Sequence, residues 1–231
     1  GRITPGCAGL WNDRQIAGMA TVAREIKAAG AVAGIQLAHA GRKASANRPW
    51  EGDDHIADGD PRGWETISPS AIAYGANLPQ VPREMTHEDI MRVQADFVAA
   101  TRRAVEAGFE WLELHFAHGY LAQSFFSVHA NHRTDEYGGD LAGRSRFLLE
   151  TLRAVRKVWP ETFPLTARFG VIEFDGRAED TLEEALTLTR PFNADGLDLL
   201  HVRAFFSPPI VNTPWPSSCL CSTSAPVPPA F

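Results

Sequence analysis

The chain has 231 residues, 44% hydrophobic and 22% charged, the make-up of an ordinary soluble globular protein with room for one sizeable core or one α/β barrel. Its 22 basic and 28 acidic residues leave a formal charge of −6, which argues against the basic footprint of a nucleic-acid-binding surface. No apolar run reaches the ~18 residues of a membrane span, and the three cysteines, Cys7, Cys219 and Cys221, give no disulfide framework and suit a reducing cytoplasm. Cys219 and Cys221 form a Cys-x-Cys with no second pair, too little for a zinc site. The start, Gly1 to Gly6, is neither an initiator methionine nor a signal peptide, so sequence upstream of it is expected.

Along the chain, helix-period and strand-period segments alternate. Residues 13–29 place Ile16, Met19, Ala20, Ala23 and Ile26 at helical spacing, with Gly30 as a stop. Residues 32–37 are short, apolar and bounded by glycine, a strand signal. Residues 39–85 are one long connection rich in Gly, Pro, Asp and Trp, which is expected to be functional or mobile. Thr86 to Asp89 resembles a capping box, opening a helix to about Ala107 that Gly108 ends. Residues 109–116 alternate polar and apolar, a second strand. Residues 143–158 carry Phe147, Leu148, Leu152, Val155 and Val158 on one helical stripe. A third strand is expected over 164–169, a helix capped by Thr181 and closed near Asp195 and Gly196, and a fourth strand over 197–202.

Strand, helix, strand, helix in this order implies parallel strands joined by crossover helices. The sequence passes from helix through glycine into strand twice, at Gly108 and at Gly196, which favours a β/α barrel over a dinucleotide-binding sheet. No Gly-x-Gly-x-x-Gly follows a strand, which weakens that alternative further. A full barrel needs eight strands, and four are legible. Residues 203–231 hold seven of the sixteen prolines, five serines and no glycine. Proline blocks helix and central strand, so an irregular tail is expected, separate from the partial barrel of residues 1–202 and foreign to the fold if the reading frame changes there.

The chemistry-bearing cluster is Glu113-Leu-His-Phe-Ala-His-Gly-Tyr120. His115 shares a strand face with Glu113 and points into a barrel at the strand's carboxyl end, where β/α barrels place their active sites. His118 and Tyr120 follow in the loop. Two imidazoles and a phenol there can bind an anionic oxygen and supply a proton. On spacing alone the histidines read equally as a structural pair, and a metal-dependent hydrolase using His115, His118 and Glu113 is a reading from another class, weakened because no obvious third ligand stands with the His-x-x-His on the same rim. Arg168 ends the next strand; always charged and planar, it suits an anionic ring or a carboxylate, or else an internal salt bridge with Glu113. Gln36 ends the first strand and offers donor and acceptor to a heterocycle edge.

Four stretches, Gly34-Ile-Gln-Leu-Ala-His-Ala-Gly-Arg-Lys43, Glu113 to Tyr120, Asn131-His-Arg-Thr-Asp-Glu-Tyr-Gly-Gly139 and Arg144-Ser-Arg-Phe147, resemble the Old Yellow Enzyme family in sequence and in order, most closely its bacterial xenobiotic-reductase branch. The resemblance covers about residues 1–202. It implies a (β/α)8 TIM barrel that holds FMN without a covalent bond and takes hydride from NADPH or NADH. The reduced flavin passes hydride to the β-carbon of an activated alkene such as an enone or nitro compound. Carried over, Gln36 would bond the flavin pyrimidine edge and Arg168 would lie near its N1 and O2, as cofactor-binding residues. His115 and His118 would hold the substrate oxygen, and Tyr120 would donate the proton. Arg42 and Lys43 would lie near the site entrance. A small-molecule substrate, no nucleic acid, no membrane and self-association as a homo-oligomer complete the expectation.

The resemblance also marks departures. The four strands correspond to the third through sixth of the family barrel, and Cys7 is not, by context, the family's redox-tuning cysteine. Ser127-Val128 stands where the family usually has Ser-Pro, and Gly143 where it usually has Asn. The strands expected to cradle the FMN phosphate are not legible after residue 202, so the isolated chain is expected to hold FMN weakly, and a non-catalytic remnant of such an enzyme is the alternative reading.

Overall fold

The structure, a computed structural model, describes residues 1–173 and 178–204. Helix α1 (Ile16–Ala28) buries Ala23, and Ile16, Met19, Ala20 and Ile26 pack beside it, as the helical spacing implies. It stops at Gly30, whose φ of 83° is left-handed, a conformation glycine adopts without a Cβ penalty. Strand β1 (Gly34–Leu37) follows.

The long connection is mostly irregular, with short 3-10 turns at Gly41–Lys43 and Pro49–Glu51. It also holds a two-residue parallel ladder that the sequence did not announce, between β2 (Ile67–Ser68) and β3 (Arg83–Glu84). Helix α2 (His87–Glu106) opens on the expected capping box: Thr86 Oγ1 accepts from Asp89 N, and Asp89 Oδ2 from Thr86 N, each at 3.1 Å. It leads into β4 (Trp111–Phe116).

A helix absent from the sequence reading, α3 (Leu121–Phe126), comes next, all six residues buried. Helix α4 (Leu141–Arg156) starts two residues earlier than expected because Asp140 accepts from Gly143 N at 2.9 Å and caps it. Phe147, Leu148, Leu152 and Val155 are buried on its inner stripe, while Val158 lies beyond its end. Strand β5 (Leu165–Ile172) runs three residues past its expected limit. The last helix, α5 (Ala178–Ala194), corrects the expected cap at Thr181: the chain is already helical three residues before it, and Thr181 is buried. Strand β6 (Leu199–Ala204) closes the described chain, two residues past 202. The rest of the expected irregular tail lies outside the described residues.

Strands β1, β4, β5 and β6 form one parallel sheet in that order, β4 and β5 having a crossover helix packed between them in sequence. Side chains alternate across it. Leu112, Leu114, Phe116, Leu165, Ala167 and Phe169 point one way and are fully buried against the helices. That core draws on residues from Leu10 to Leu197. The opposite face carries Gln36, Trp111, Glu113, His115, Thr166, Arg168 and His201, by the same alternation. This is the architecture of part of a β/α barrel, with a packed outer layer and a polar inner face. No helix among the described residues is long and apolar enough to cross a membrane.

Candidate active site

Strand register brings the inner-face residues into rows. Gln36, Glu113 and Thr166 are successive partners in one row, and His115, Arg168 and His201 in the next, nearer the carboxyl ends. Residues far apart in sequence therefore share one surface because β1, β4, β5 and β6 are parallel and in step.

His115 is 5% exposed. Its Nδ1 accepts from the backbone N–H of Ala117 at 3.2 Å; a backbone N–H can only donate, so the neutral ring carries its proton on Nε2. Burial, then the charges of His118, Arg168 and Lys43, push its pKa down to about 3. After β4 the chain turns sharply through two left-handed residues, His118 (φ 61°) and Gly119 (φ 69°), and Gln123 Oε1 accepts from Gly119 N at 2.9 Å. The turn swings the His118 ring edge-on to His115, centroids 5.0 Å apart at 84°. Burial and the nearby Arg168 and Lys43 push His118 down to about 4. Tyr120, at the N-terminus of α3, meets His115 edge-on from another side, at 5.0 Å and 90°. Burial raises its pKa above the ordinary tyrosine value, so its hydroxyl keeps its proton.

Lys43 ties β1's following loop to this group. Its Nζ donates to the His118 carbonyl at 3.1 Å and stands 5.0 Å from the centre of the Tyr120 ring and 4.4 Å from that of Tyr74. Burial, then Arg42, lowers its pKa to about 8. Arg42, expected beside it at the entrance, is instead buried in the connection, where its Nη1 donates to the carbonyls of Ile72 and Ala73 at 3.3 and 3.1 Å. Both bonds leave one nitrogen, and through them Arg42 ties the start of the connection to residues 72 and 73.

Arg168 does not form the alternative salt bridge with Glu113. Its Nε is buried and without a hydrogen-bond partner among the described residues, as are those of Arg42 and Arg156; of the three, only Arg168 stands on the inner face beside His115, where a ligand acceptor can meet it. Glu113 is engaged elsewhere: Oε1 accepts from Gln36 Nε2 at 2.5 Å, and Oε2 lies 3.4 Å from His201 Nδ1. His201 was not singled out from sequence. Its signal was present, a histidine after Leu199 and Leu200 on the strand parity that faces inward. The metal reading finds its three clustered donors at another place: His87, Asp135 and Glu136 converge where α2 begins, and neither His115 nor His118 belongs to that group.

The comparisons with known proteins agree on the source of this arrangement. The sequence profile of the NADH:flavin oxidoreductase / NADH oxidase family matches residues 1–203. An NADH:flavin oxidoreductase of Gibberella zeae is 40% identical over 213 residues, covering 87% of this chain and 52% of that protein. An NADPH dehydrogenase of Bacillus velezensis is 40% identical over 200 residues, covering 87% and 53%. Among solved structures, morphinone reductase superposes with a TM-score of 0.71 at 28% identity, covering 87% of this chain and 56% of that one. An Old Yellow Enzyme homologue from Zymomonas mobilis gives 0.69 at 25%, covering 85% and 54%. The chain thus spans about half the length of the relatives it matches. With the partial barrel, the inward polar rows and the matched relatives on one footing, the chain belongs to the NADH:flavin oxidoreductase / NADH oxidase family, an Old Yellow Enzyme-type family whose cofactors are FMN and NAD(P)H.

Proposed function

We propose that this chain reduces activated C=C bonds, of enones or nitroalkenes, at an FMN site on its inner face, with NADPH or NADH as electron donor. The observation that carries the reading is the meeting of two neutral imidazoles and a protonated phenol at His115, whose register partner is an arginine with a buried Nε that lacks a partner among the described residues. The donor set fits a flavin: Arg168 offers a fixed positive fork to an electron-rich ring edge, and Gln36 offers an amide to the pyrimidine. When bound, FMN supplies the hydride that reaches the alkene β-carbon.

The chain's own residues would then do three things. The Nε2–H of His115, with His118 beside it, holds the carbonyl or nitro oxygen and draws electron density from the alkene. Both rings stay neutral down to about pH 4, so they act as hydrogen-bond donors and do not protonate the substrate. Tyr120 gives its O–H proton to the α-carbon: that O–H bond breaks as the C–H bond forms, and the phenolate is reprotonated from water. The names of the relatives, NADPH dehydrogenase and morphinone reductase, support a nicotinamide donor and a reduced small molecule.

Incubation with FMN, removal of the excess and anaerobic addition of NADPH test this directly. A retained yellow band that bleaches, and recovers on adding an enone, is the expected result. Replacing Tyr120 by Phe should slow the recovery by about 10²-fold and leave the bleaching rate unchanged. Colourless wild-type protein would overturn the proposal in favour of a non-catalytic remnant.

A further inference from the structure

The reading of Gln36 as a flavin contact leaves open which end of its amide faces the ligand, and Glu113 answers this. A carboxylate only accepts hydrogen bonds, so the amide end that lies 2.5 Å from Glu113 Oε1 has to be the NH2. Glu113's second oxygen faces His201 Nδ1 at 3.4 Å across the sheet, over the intervening strand β5, and accepts from it when that nitrogen carries the proton. Gln36, Glu113 and His201 thus form a polar chain laid across three strands, in a face whose other side is the fully buried core.

Resting on the FMN reading above, we propose that Glu113 is a positioning residue that fixes the polarity of the Gln36 amide, so that the site selects a ring edge bearing an N–H next to a carbonyl. With one amide hydrogen held by Glu113, Gln36 has Oε1 left to accept and one N–H left to donate. A flavin pyrimidine edge, with its N3–H beside a carbonyl, satisfies both. A ring alkylated at N3 cannot donate to Oε1, and the amide cannot flip to accommodate it without turning its carbonyl oxygen onto the Glu113 carboxylate. Glu113 never touches the flavin in this arrangement; it acts through Gln36.

The test compares the binding of FMN and of its N3-methyl derivative to the full chain, by quenching of flavin fluorescence. The wild type should prefer FMN by about tenfold or more, the cost of leaving the Gln36 acceptor unmet once the ring covers it. Glu113→Gln, whose amide can meet Gln36 in either orientation, should cut that preference to about threefold or less. Glu113→Asp keeps the charge but draws the carboxylate back by one methylene, and should lose the preference in the same way. Retention of the full preference in Glu113→Asp would mean that charge alone matters, and retention in Glu113→Gln that Glu113 has no positioning role; either overturns the inference. A wild type that binds FMN with no preference overturns it without any variant. A wild type that binds neither flavin sinks the FMN reading and this one together.

Discussion

Burial fixes the charge of His115 and His118 before any ligand arrives, and that has a thermodynamic signature. An unfolded histidine titrates near 6.5, while the folded rings titrate at about 3 and about 4. Between these values the unfolded chain binds protons that the folded chain refuses, so stability is fully present above pH 6.5 and declines as pH falls toward 4. His39 and His55 are lowered by burial and act in the same direction. The carboxylates of Asp89 and Asp135, held low chiefly by Arg83 and Arg133, weaken the fold only at more acid pH, below the ordinary carboxylate range. Melting temperature measured from pH 7 to pH 4.5 should therefore fall, and a His115→Gln, His118→Gln double variant should show a shallower fall. An identical slope in the variant would mean that the two rings are not held neutral. At this scale the sequence was informative where a motif was dense: Gln36, His115, His118, Tyr120 and Arg168 were all singled out, of which Gln36, His115 and Arg168 share one sheet face while His118 and Tyr120 meet His115 from the loop after β4. It was silent on Glu113's engagement with Gln36 and on His201, because hydrogen-bond partners on three strands depend on register, which no single segment encodes.

Two connections decide whether the elements bring those residues together. Gly41, at φ 58°, lies so close to α3 that a Cβ would stand 3.0 Å from both the backbone N and the Cα of Leu121. The backbone contact is sealed by Leu121 N donating to the His39 carbonyl at 3.0 Å. This seam sets the loop after β1 against the loop after β4, and with it Lys43 against Tyr120. Gly41→Ala adds both left-handed strain and a clash with backbone that cannot swing aside, and should cost about 1–3 kcal/mol of stability. Chemical denaturation measures it, with Gly30→Ala as the comparison: Gly30 is also left-handed but has open space around it. Equal losses at the two positions would show that close approach to α3 contributes nothing. The same seam explains what was hard to read. Helix α2 announces itself through Thr86, Asp89 and a long apolar stripe over Ile90, Val93 and Phe97, all local signals. Helix α3 is under two turns long and buries all six residues, Gln123 and Ser124 included, so it has no exposed polar face to set an apolar period against. The start of α5 was misplaced for a related reason: a threonine followed by acids looks like a cap wherever it stands, yet here Thr181 sits buried inside the helix.

For the molecule as a whole, the sheet separates two kinds of stability. Its outer face is conventional core, whereas its inner face carries polar groups that the fold itself does not fully satisfy. Arg168 is the clearest case, with a buried Nε that lacks a partner among the described residues. A buried unmet donor is a cost to the folded state, and binding is one way to relieve it. Two opposite effects are expected from Arg168→Leu. Without ligand the variant should melt no lower than the wild type, and somewhat higher if the leucine packs where the guanidinium stem lay. With FMN at about a hundred times its dissociation constant, the wild type should gain roughly 2.7 kcal/mol, a rise of roughly 5–10 °C for a domain of this size. The variant should lose most of that rise. Thermal melts of both proteins with and without FMN read all four states. If the variant melts well below the wild type without ligand, Arg168 is a structural member of the fold and not a residue kept in reserve for an electron-rich ring. If it keeps the full FMN-dependent rise, the flavin does not engage Arg168, and the inner face must hold it by other groups.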